Sequence, residues 1–241
     1  MPEFEYDSTS IHFEEHGSGF PILLIAPGAM DSTIAMWAKA PINPLARYED
    51  SFRLIAMDQR NAGQSFGPLE PADPWGAYAQ DQLALLDHLG IDRFHVIGCC
   101  IGGSFALKLI ERAPGRVAAA VLQQPVGIAD GNGQLYDEMW RSWGSRLSGR
   151  PDVSPEAIEE FGNRMWGEDF VVSVTREFVE SCPTPLLVLP GTDRYHPTAT
   201  GREIATLAPA GEVFEPWNDS RQHLTEATEA VRNFLQMHLP G

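Results

Sequence analysis

A cysteine in a glycine-rich turn is the residue whose type and spacing most clearly predict chemistry in this sequence. The segment Phe94–Gly103 reads as an apolar strand, then Gly-x-Cys-x-Gly-Gly, then the start of a helix, with Cys100 at the turn. The backbone at the tip of such a turn is strained, and side chains two residues to either side would collide, so Gly98 and Gly102 are required there. The turn also places the sulfur at a helix N-terminus, where free N–H groups and the helix dipole favour a thiolate. The pattern therefore predicts that Cys100 is a nucleophile.

Short apolar segments alternate with helical patterns along the chain, and these elements must position the turn. Five apolar segments are predicted to be inner strands: Ile22–Ala26, Arg53–Met57, Phe94–Ile97, Val117–Leu122 and Leu186–Leu189. An edge hairpin over Glu3–Tyr6 and Ile11–Glu15 and a last strand over Val213–Pro216 are also predicted. Helices are predicted from Pro74, behind an Asp73 N-cap, to Gly90, from Ile101 to Ala113, and from Thr225 to His238. This alternation predicts an α/β fold with a mostly parallel central sheet and helices on both faces.

The stretch 126–181 interrupts this alternation of strands and helices. Its predicted helical pieces are Leu135–Arg146, Pro155–Met165 and Phe170–Phe178, and it carries Trp140, Trp143 and Trp166. Because it is inserted between two predicted strands, we expect a small helical lid over the carboxyl edge of the sheet. A helical excursion packed on the surface is the alternative. The predicted organisation is one α/β domain, residues 1–241, with the lid insertion inside it.

The composition restricts the class of protein and its partners. The chain has 241 residues, with 17 Lys and Arg against 33 Asp and Glu and a formal net charge of -16. Because such a surface repels phosphate backbones and anionic lipid, neither nucleic acid nor a membrane is an expected partner. No signal peptide is visible, and the three cysteines do not form a disulfide framework, with Cys99 and Cys182 expected to be structural. We expect a cytoplasmic monomer or homodimer.

Taken together, these motifs resemble the α/β-hydrolase family along nearly the whole chain, in matching order. Pro21–Gly28 is similar to the strand and loop that precede the first large helix of the family. Arg53–Ser65 is similar to its strand and D-x-R-G-x-G-x-S turn, with Asn61 in the first Gly position. Leu186–Asp193 is similar to the strand that ends in the catalytic acid. The resemblance implies an α/β-hydrolase fold with nucleophile, acid and base in that order along the chain.

The resemblance implies that Asp193 is the acid and His223 the base of a catalytic triad. Asp193 follows Gly191 at the end of an apolar strand, where its carboxylate would accept the imidazole N–H and stabilise the imidazolium. His223 lies ahead of the last helix, where the family carries its base. Asp130 is a weaker candidate for the acid. His196 is the rival base, disfavoured because it lies so near Asp193 in sequence that it could not approach from the opposite loop.

The backbone N–H groups of Ile101 and Ala29 are expected to form an oxyanion hole. The family uses the residue after the nucleophile together with one in the loop after the first inner strand. That loop reads Pro27–Met30 here, with Pro27 in place of the family's His. Two such donors can stabilise a tetrahedral transition state by several kcal/mol. The substrate pocket is expected to be lined by Met30 and by the lid residues Trp140, Trp143 and Trp166.

A Cys-His-Asp triad in this fold resembles the dienelactone-hydrolase branch, whereas the flanking sequence is more similar to small esterases, haloperoxidases and C–C hydrolases. The expected function is hydrolysis of an ester, thioester or lactone with an apolar portion, through an acyl-enzyme on Cys100. Three alternatives stay open: an acyltransferase with the same triad, a C–C hydrolase or lyase, and a ligand-binding, receptor-like protein on this scaffold. No metal-ligand spacing, dinucleotide glycine pattern or phosphate loop occurs, so neither a metal nor a cofactor is expected.

Overall fold

One sheet of eight strands organises the chain in the computed structural model, which describes residues 3–129, 131–167 and 170–240. The strands are β1 (Glu3–Tyr6), β2 (Thr9–Gly17), β3 (Pro21–Ile25), β4 (Arg53–Met57), β5 (Phe94–Cys99), β6 (Val117–Gln123), β7 (Leu186–Leu189) and β8 (Gly211–Val213). Their order across the sheet is β1-β2-β4-β3-β5-β6-β7-β8. The strands β3 to β8 pair in parallel, and β1 and β2 form the antiparallel edge. The prediction of a mostly parallel sheet is confirmed.

Helices cover both faces of this sheet. They are α1 (Pro74–His88), α2 (Ile101–Arg112), α3 (Gly133–Leu147), α4 (Pro155–Trp166), α5 (Arg176–Ser181), α6 (Thr198–Leu207) and α7 (Arg221–Met237). Side chains alternate along each inner strand, so Leu23 of β3 joins the core cluster that contains α1 and α2. The next residue, Leu24, joins a second cluster with Val231 of α7. A sheet that is apolar on both faces requires this double cover.

The boundaries of three elements differ most from the prediction, for local reasons. Strand β8 ends at Val213 instead of reaching Pro216, which has no N–H to continue the ladder. Helix α7 begins at Arg221 instead of Thr225, because the Ser220 side chain caps it. The helix predicted over 170–178 is α5, which starts only after Thr175. Phe170 has a φ of 61°, outside the helical range.

The helices α3, α4 and α5 occupy the interval predicted for the lid. They lie between β6 and β7 in the chain, and α3 packs against α4 and against the short 3-10 helix Ala29–Asp31. This placement brings the insertion to the carboxyl end of β3, where that short helix follows the strand. A movement of these helices as a lid stays a prediction. In the described part of the chain, no helix is long and apolar enough to cross a membrane.

Candidate functional site

Cys100 lies at the tip of a tight turn between β5 and α2. Its φ and ψ are 59° and −120°, a conformation that L-residues rarely adopt. A Cβ atom on Gly98 would lie 2.1 Å from the carbonyl oxygen of Gly102, and one on Gly102 would lie 2.2 Å from the carbonyl oxygen of Ile25. Both positions therefore exclude any larger residue. The strained turn predicted around the cysteine is present.

The three cysteines differ in their access to solvent. Cys99 and Cys182 are buried free thiols, whereas Cys100 is partly exposed. Burial raises the pKa of Cys99 and also that of Cys182, because a thiolate is disfavoured in an apolar surrounding. Only Cys100 among them combines solvent access with a position at a helix N-terminus. It is the cysteine whose surroundings suit a nucleophile.

Asp193 and His196 form a tight turn just after β7. The Asp193 Oδ1 atom accepts hydrogen bonds from the backbone N–H groups of Tyr195 (2.8 Å) and His196 (3.1 Å). Its Oδ2 atom lies 2.9 Å from His196 Nδ1. A Cβ on Gly191 would lie 2.2 Å from His196 Cβ, so the absence of a side chain there lets the turn fold back. The acid thus holds a histidine only three residues away.

The His196 ring also faces Cys100. Burial of the ring disfavours its charge, but Cys100 and Asp193 outweigh this and raise the pKa of His196 to about 9. Burial alone would raise the pKa of Asp193, yet His196 and the two N–H donors lower it below its usual value. The buried Nε2 atom has no partner at hydrogen-bond geometry among the described residues, and the interaction with Cys100 is nevertheless the largest contribution that raises the pKa of the ring. The arrangement favours a charged imidazolium at His196.

The structure does not bring His223 to Asp193, contrary to the expectation from the sequence. Ser220 accepts a hydrogen bond from His223 N at 3.0 Å, which places His223 in the first turn of α7. There its Nδ1 atom pairs with Asp219 at the protein surface. The loop before α7 presents Asn218 instead, whose amide donates to Gln124 Oε1 at 3.3 Å.

His196 was disfavoured because it lies so close to Asp193 in the sequence, yet the sequence also contains a pattern that favours it. A turn of the form Asp-x-x-His lets one carboxylate accept both turn N–H groups and still reach the ring. Asp193–His196 has this form and follows β7 directly. A histidine three residues after the aspartate can therefore pair with it within one turn, and does not need to approach from a different loop. Asp130, the weaker candidate for the acid, lies outside the described residues.

The two expected oxyanion donors lie on adjacent loops. Ile101 is the first residue of α2, and Gly102 packs against the carbonyl of Ile25, four residues before Ala29. Ala29 has a φ of 53° in the short 3-10 helix after β3. Within the described ranges, neither the Ile101 nor the Ala29 backbone N–H donates to a protein acceptor. Both donors are thus free for a ligand, and their role in an oxyanion hole stays a prediction.

The residues expected to line the substrate pocket belong to one apolar cluster. Cys100 packs against this cluster, whose buried members include Ala29, Met30, Trp140, Trp143 and Trp166. Trp143 stacks on Phe161, and Trp166 stacks on Tyr136 with ring centroids 4.6 Å apart. The Nε1–H groups of Trp143 and Trp166 are buried without a partner among the residues described. The cluster that Cys100 borders thus contains these buried aromatic rings, two of them with unused donors, and their lining of a substrate pocket stays a prediction.

Comparisons with known proteins agree with this architecture. Residues 21–207 match the family model of the α/β-hydrolase fold. The chain is 31% identical over 125 residues to 2-hydroxymuconate semialdehyde hydrolase of Pseudomonas putida, covering 50% of this chain and 41% of that protein. It is 28% identical over 131 residues to the provisionally named carbamate hydrolase RutD of Agrobacterium fabrum, covering 53% of this chain and 48% of that protein. The chain spans about half the length of the curated relatives it matches.

Two solved structures show the same fold over almost the whole chain. The enol-lactonase from Burkholderia xenovorans LB400 has a TM-score of 0.70 at 21% identity, covering 98% of this chain and 100% of that one. The meta-cleavage product hydrolase from Pseudomonas fluorescens IP01 has a TM-score of 0.71 at 18% identity, covering 95% of each chain. At such low identity the likeness concerns the fold alone.

Proposed function

We propose, since the chain belongs to the α/β-hydrolase fold family, that it hydrolyses an acyl substrate through a covalent intermediate on Cys100. In this proposal His196 is the base and Asp193 orients it. One observation carries the proposal: the strained turn presents Cys100 to a histidine whose other nitrogen is held by a carboxylate. A nucleophile, a base and a group that orients the base are the parts that covalent acyl transfer requires.

The reaction follows from the charges at the site. The Cys100 thiolate attacks the carbonyl carbon, and the resulting oxyanion accepts hydrogen bonds from the Ile101 and Ala29 N–H groups. His196 donates its proton to the leaving oxygen or sulfur as the tetrahedral intermediate collapses to the acyl-enzyme. The neutral imidazole then takes a proton from water, which attacks the acyl carbon. Collapse of the second intermediate releases the acid and restores the thiolate and imidazolium.

The surroundings of Cys100 favour an ester, thioester or lactone with an apolar portion. The aromatic cluster beside the sulfur would bury that portion, at about 25 cal/mol for each Å² of apolar surface. The free Nε1–H groups of Trp143 and Trp166 would donate to oxygen atoms distant from the reacting carbonyl. A lactone that carries a further oxygen on its apolar portion meets both conditions, and a cysteine triad in this fold resembles the dienelactone-hydrolase branch.

Intact-mass spectrometry tests for the covalent intermediate. The wild type, Cys100→Ala and His196→Ala are mixed with a panel of activated esters, thioesters and lactones. The expected result is an acyl adduct on Cys100 that persists longer in His196→Ala, because release requires a base to activate water. Cys100→Ala is expected to form no adduct and to lose turnover. If no panel member gives an adduct or a burst while Cys100→Ala still turns over, the covalent mechanism is wrong.

Acyl transfer and C–C bond cleavage are the alternatives that the same experiment separates. The similar proteins include a 2-hydroxymuconate semialdehyde hydrolase and a meta-cleavage product hydrolase, and C–C cleavage of a diketone-like substrate is the second candidate. For that reaction, substantial turnover after Cys100→Ala is expected, with the base acting before or instead of the thiol. Added alcohols, amines or thiols that receive the acyl group faster than water would identify a transferase.

A further inference from the structure

Helix α3 of the inserted segment holds the turn that carries His196. The Tyr136 hydroxyl donates to the carbonyl oxygen of Tyr195 at 2.7 Å and lies 3.1 Å from that of Gly127. The Asn132 side-chain amide has two hydrogens, and it donates to the carbonyls of Arg194 (3.0 Å) and Gly127 (2.8 Å). The two residues immediately before His196 are thus bonded through their backbone to α3 and to the residue just preceding it.

The side chains that donate these hydrogen bonds are buried. Tyr136 is 1% exposed and Asn132 is 3% exposed. Burial raises the pKa of the Tyr136 phenol, so it remains a protonated donor throughout the range in which the protein would work. Removing either donor would deprive a carbonyl of the turn of its buried partner, so the turn would lose one of its attachments to the inserted segment. The position of the turn therefore depends on α3.

We infer that Tyr136 and Asn132 are positioning residues for His196, so that the base faces Cys100 only while α3 is docked. The inference rests on the proposed function. The positioning role is inferred because His196 lies on the turn after β7, and the side chains of Asn132 and Tyr136 in the inserted segment donate hydrogen bonds to the backbone of that turn. Asp193 sets the orientation of the ring within the turn, and α3 sets the location of the turn itself.

The same helix connects the base to the two other parts of the site. Tyr136 stacks on Trp166 of α4, within the aromatic cluster that borders Cys100. At the other end of α3, Arg146 pairs with Asp31, two residues after Ala29 in the short 3-10 helix. A substrate that packs against the aromatic cluster would thereby stabilise the docked position of α3 and, with it, the position of the base.

The test compares Tyr136→Phe with Tyr48→Phe. Tyr136→Phe keeps the ring that stacks on Trp166 and removes only the hydroxyl. Tyr48 is a matched control because its buried hydroxyl also donates to a backbone carbonyl, that of Thr228 at 3.1 Å, in the other core cluster. Asn132→Ala removes the second attachment of the turn. Thermal unfolding of each variant measures the structural cost and confirms that it folds.

Two readouts separate positioning from stability. The first is turnover of an activated ester, for which Tyr136→Phe should lower kcat about tenfold with little change in KM, since small misplacements of a catalytic group are costly. The second is the rate of iodoacetamide alkylation of Cys100 from pH 5 to pH 10. The charged or titratable groups facing His196 are Cys100 and Asp193, with the Tyr136 and Tyr195 phenols close by. In Tyr136→Phe and Asn132→Ala, the dependence of this alkylation rate on pH should become more similar to that of His196→Ala, because the ring would no longer be held facing Cys100.

The outcomes distinguish this inference from the proposed function. If His196→Ala alters the alkylation profile but Tyr136→Phe and Asn132→Ala keep that of the wild type, the positioning role is wrong and the proposed triad stands. The positioning role is also wrong if Tyr136→Phe loses only as much stability as Tyr48→Phe and its kcat is unchanged. If His196→Ala itself changes neither turnover nor alkylation, the proposed function is wrong. The alkylation readout needs no substrate.

Discussion

Replacing two histidines one at a time with alanine decides which of them is the base. His196 and His223 form a natural pair for comparison, since the Nδ1 atom of each contacts an Asp three or four residues earlier. They differ in their surroundings: the His196 side chain is 13% exposed and faces Cys100, whereas His223 is 33% exposed at the surface. We expect His196→Ala to abolish most activity and His223→Ala to leave it unchanged.

The magnitude follows from the charges around each ring. A rise in the pKa of His196 from 6.5 to about 9 corresponds to about 3 kcal/mol favouring the charged ring in the folded protein. Loss of a general base typically lowers turnover by about 10² to 10⁴, which is the decrease expected for His196→Ala. The His223 pair is exposed to solvent, where ion pairs contribute little, so its removal should change stability only slightly and leave turnover unchanged.

The sign of the pH dependence gives an independent check. Because the folded-state pKa of His196 is the higher one, its ion pair stabilises the fold fully below pH 6.5. This contribution declines as pH rises from 6.5 through 9. His196→Ala should therefore be destabilised at pH 6 and approach the wild type above pH 9, provided that both remain folded at those values.

The assay combines kcat/KM for an activated ester with urea unfolding at pH 6 and pH 9. Both variants are first shown to be folded by circular dichroism. The reasoning is refuted if His223→Ala is the inactive variant, or if His196→Ala keeps wild-type kcat/KM. A His196→Ala variant equally destabilised at both pH values would show that the ring contributes by packing and not through its charge.

Three further predictions concern the acid, the core and the aromatic cluster. Asp193→Asn should stay folded but lose orders of magnitude in kcat because the imidazole tautomer is no longer enforced; wild-type rates, with loss in Asp130→Asn instead, would reassign the acid. Burial lowers the pKa of His95 to about 4, so protonation should cost up to about 3 kcal/mol of stability as pH falls from 6.5 to 4. The free energy of unfolding of His95→Leu, measured in urea, should not show this loss. If its pH dependence equals that of the wild type, the prediction is wrong. Trp166→Ala should raise KM more for long acyl chains than for acetyl, since each buried methylene contributes about 0.8 kcal/mol; equal changes for both chains would mean that the ring is only structural.

The nucleophile turn was predictable from the sequence because its determinants are local. A strand, three glycines and a helix start lie within the ten residues of Phe94–Gly103, and the close contact at Gly98 is with Gly102 of the same turn. The parallel sheet was equally accessible, since apolar runs bounded by Gly and Pro recur between helical patterns. The position of Asp193 at the end of β7 follows from the same alternation.

The partner of Asp193 was decided by tertiary structure. His196 reaches the carboxylate because two backbone N–H groups bend the turn around Asp193 and because Gly191 leaves room for the ring. His223 is kept away because its own backbone N–H is bound by the Ser220 cap, which begins α7 early. In both arrangements a side chain accepts hydrogen bonds from particular backbone N–H groups. The spacing of residues in the sequence does not tell which side chain will do so.

The support for the base depends on residues still more distant in the chain. Tyr136 bonds to the backbone of Tyr195 across 59 residues, and Asn132 to that of Arg194 across 62. Such contacts exist only after the sheet has assembled and the inserted helices have packed on its edge. The sequence by itself determined the elements and the strained turn that carries Cys100, because those depend on near neighbours. Which histidine faces the cysteine, and what holds it there, depends on how separate loops meet, and only the folded chain decides that.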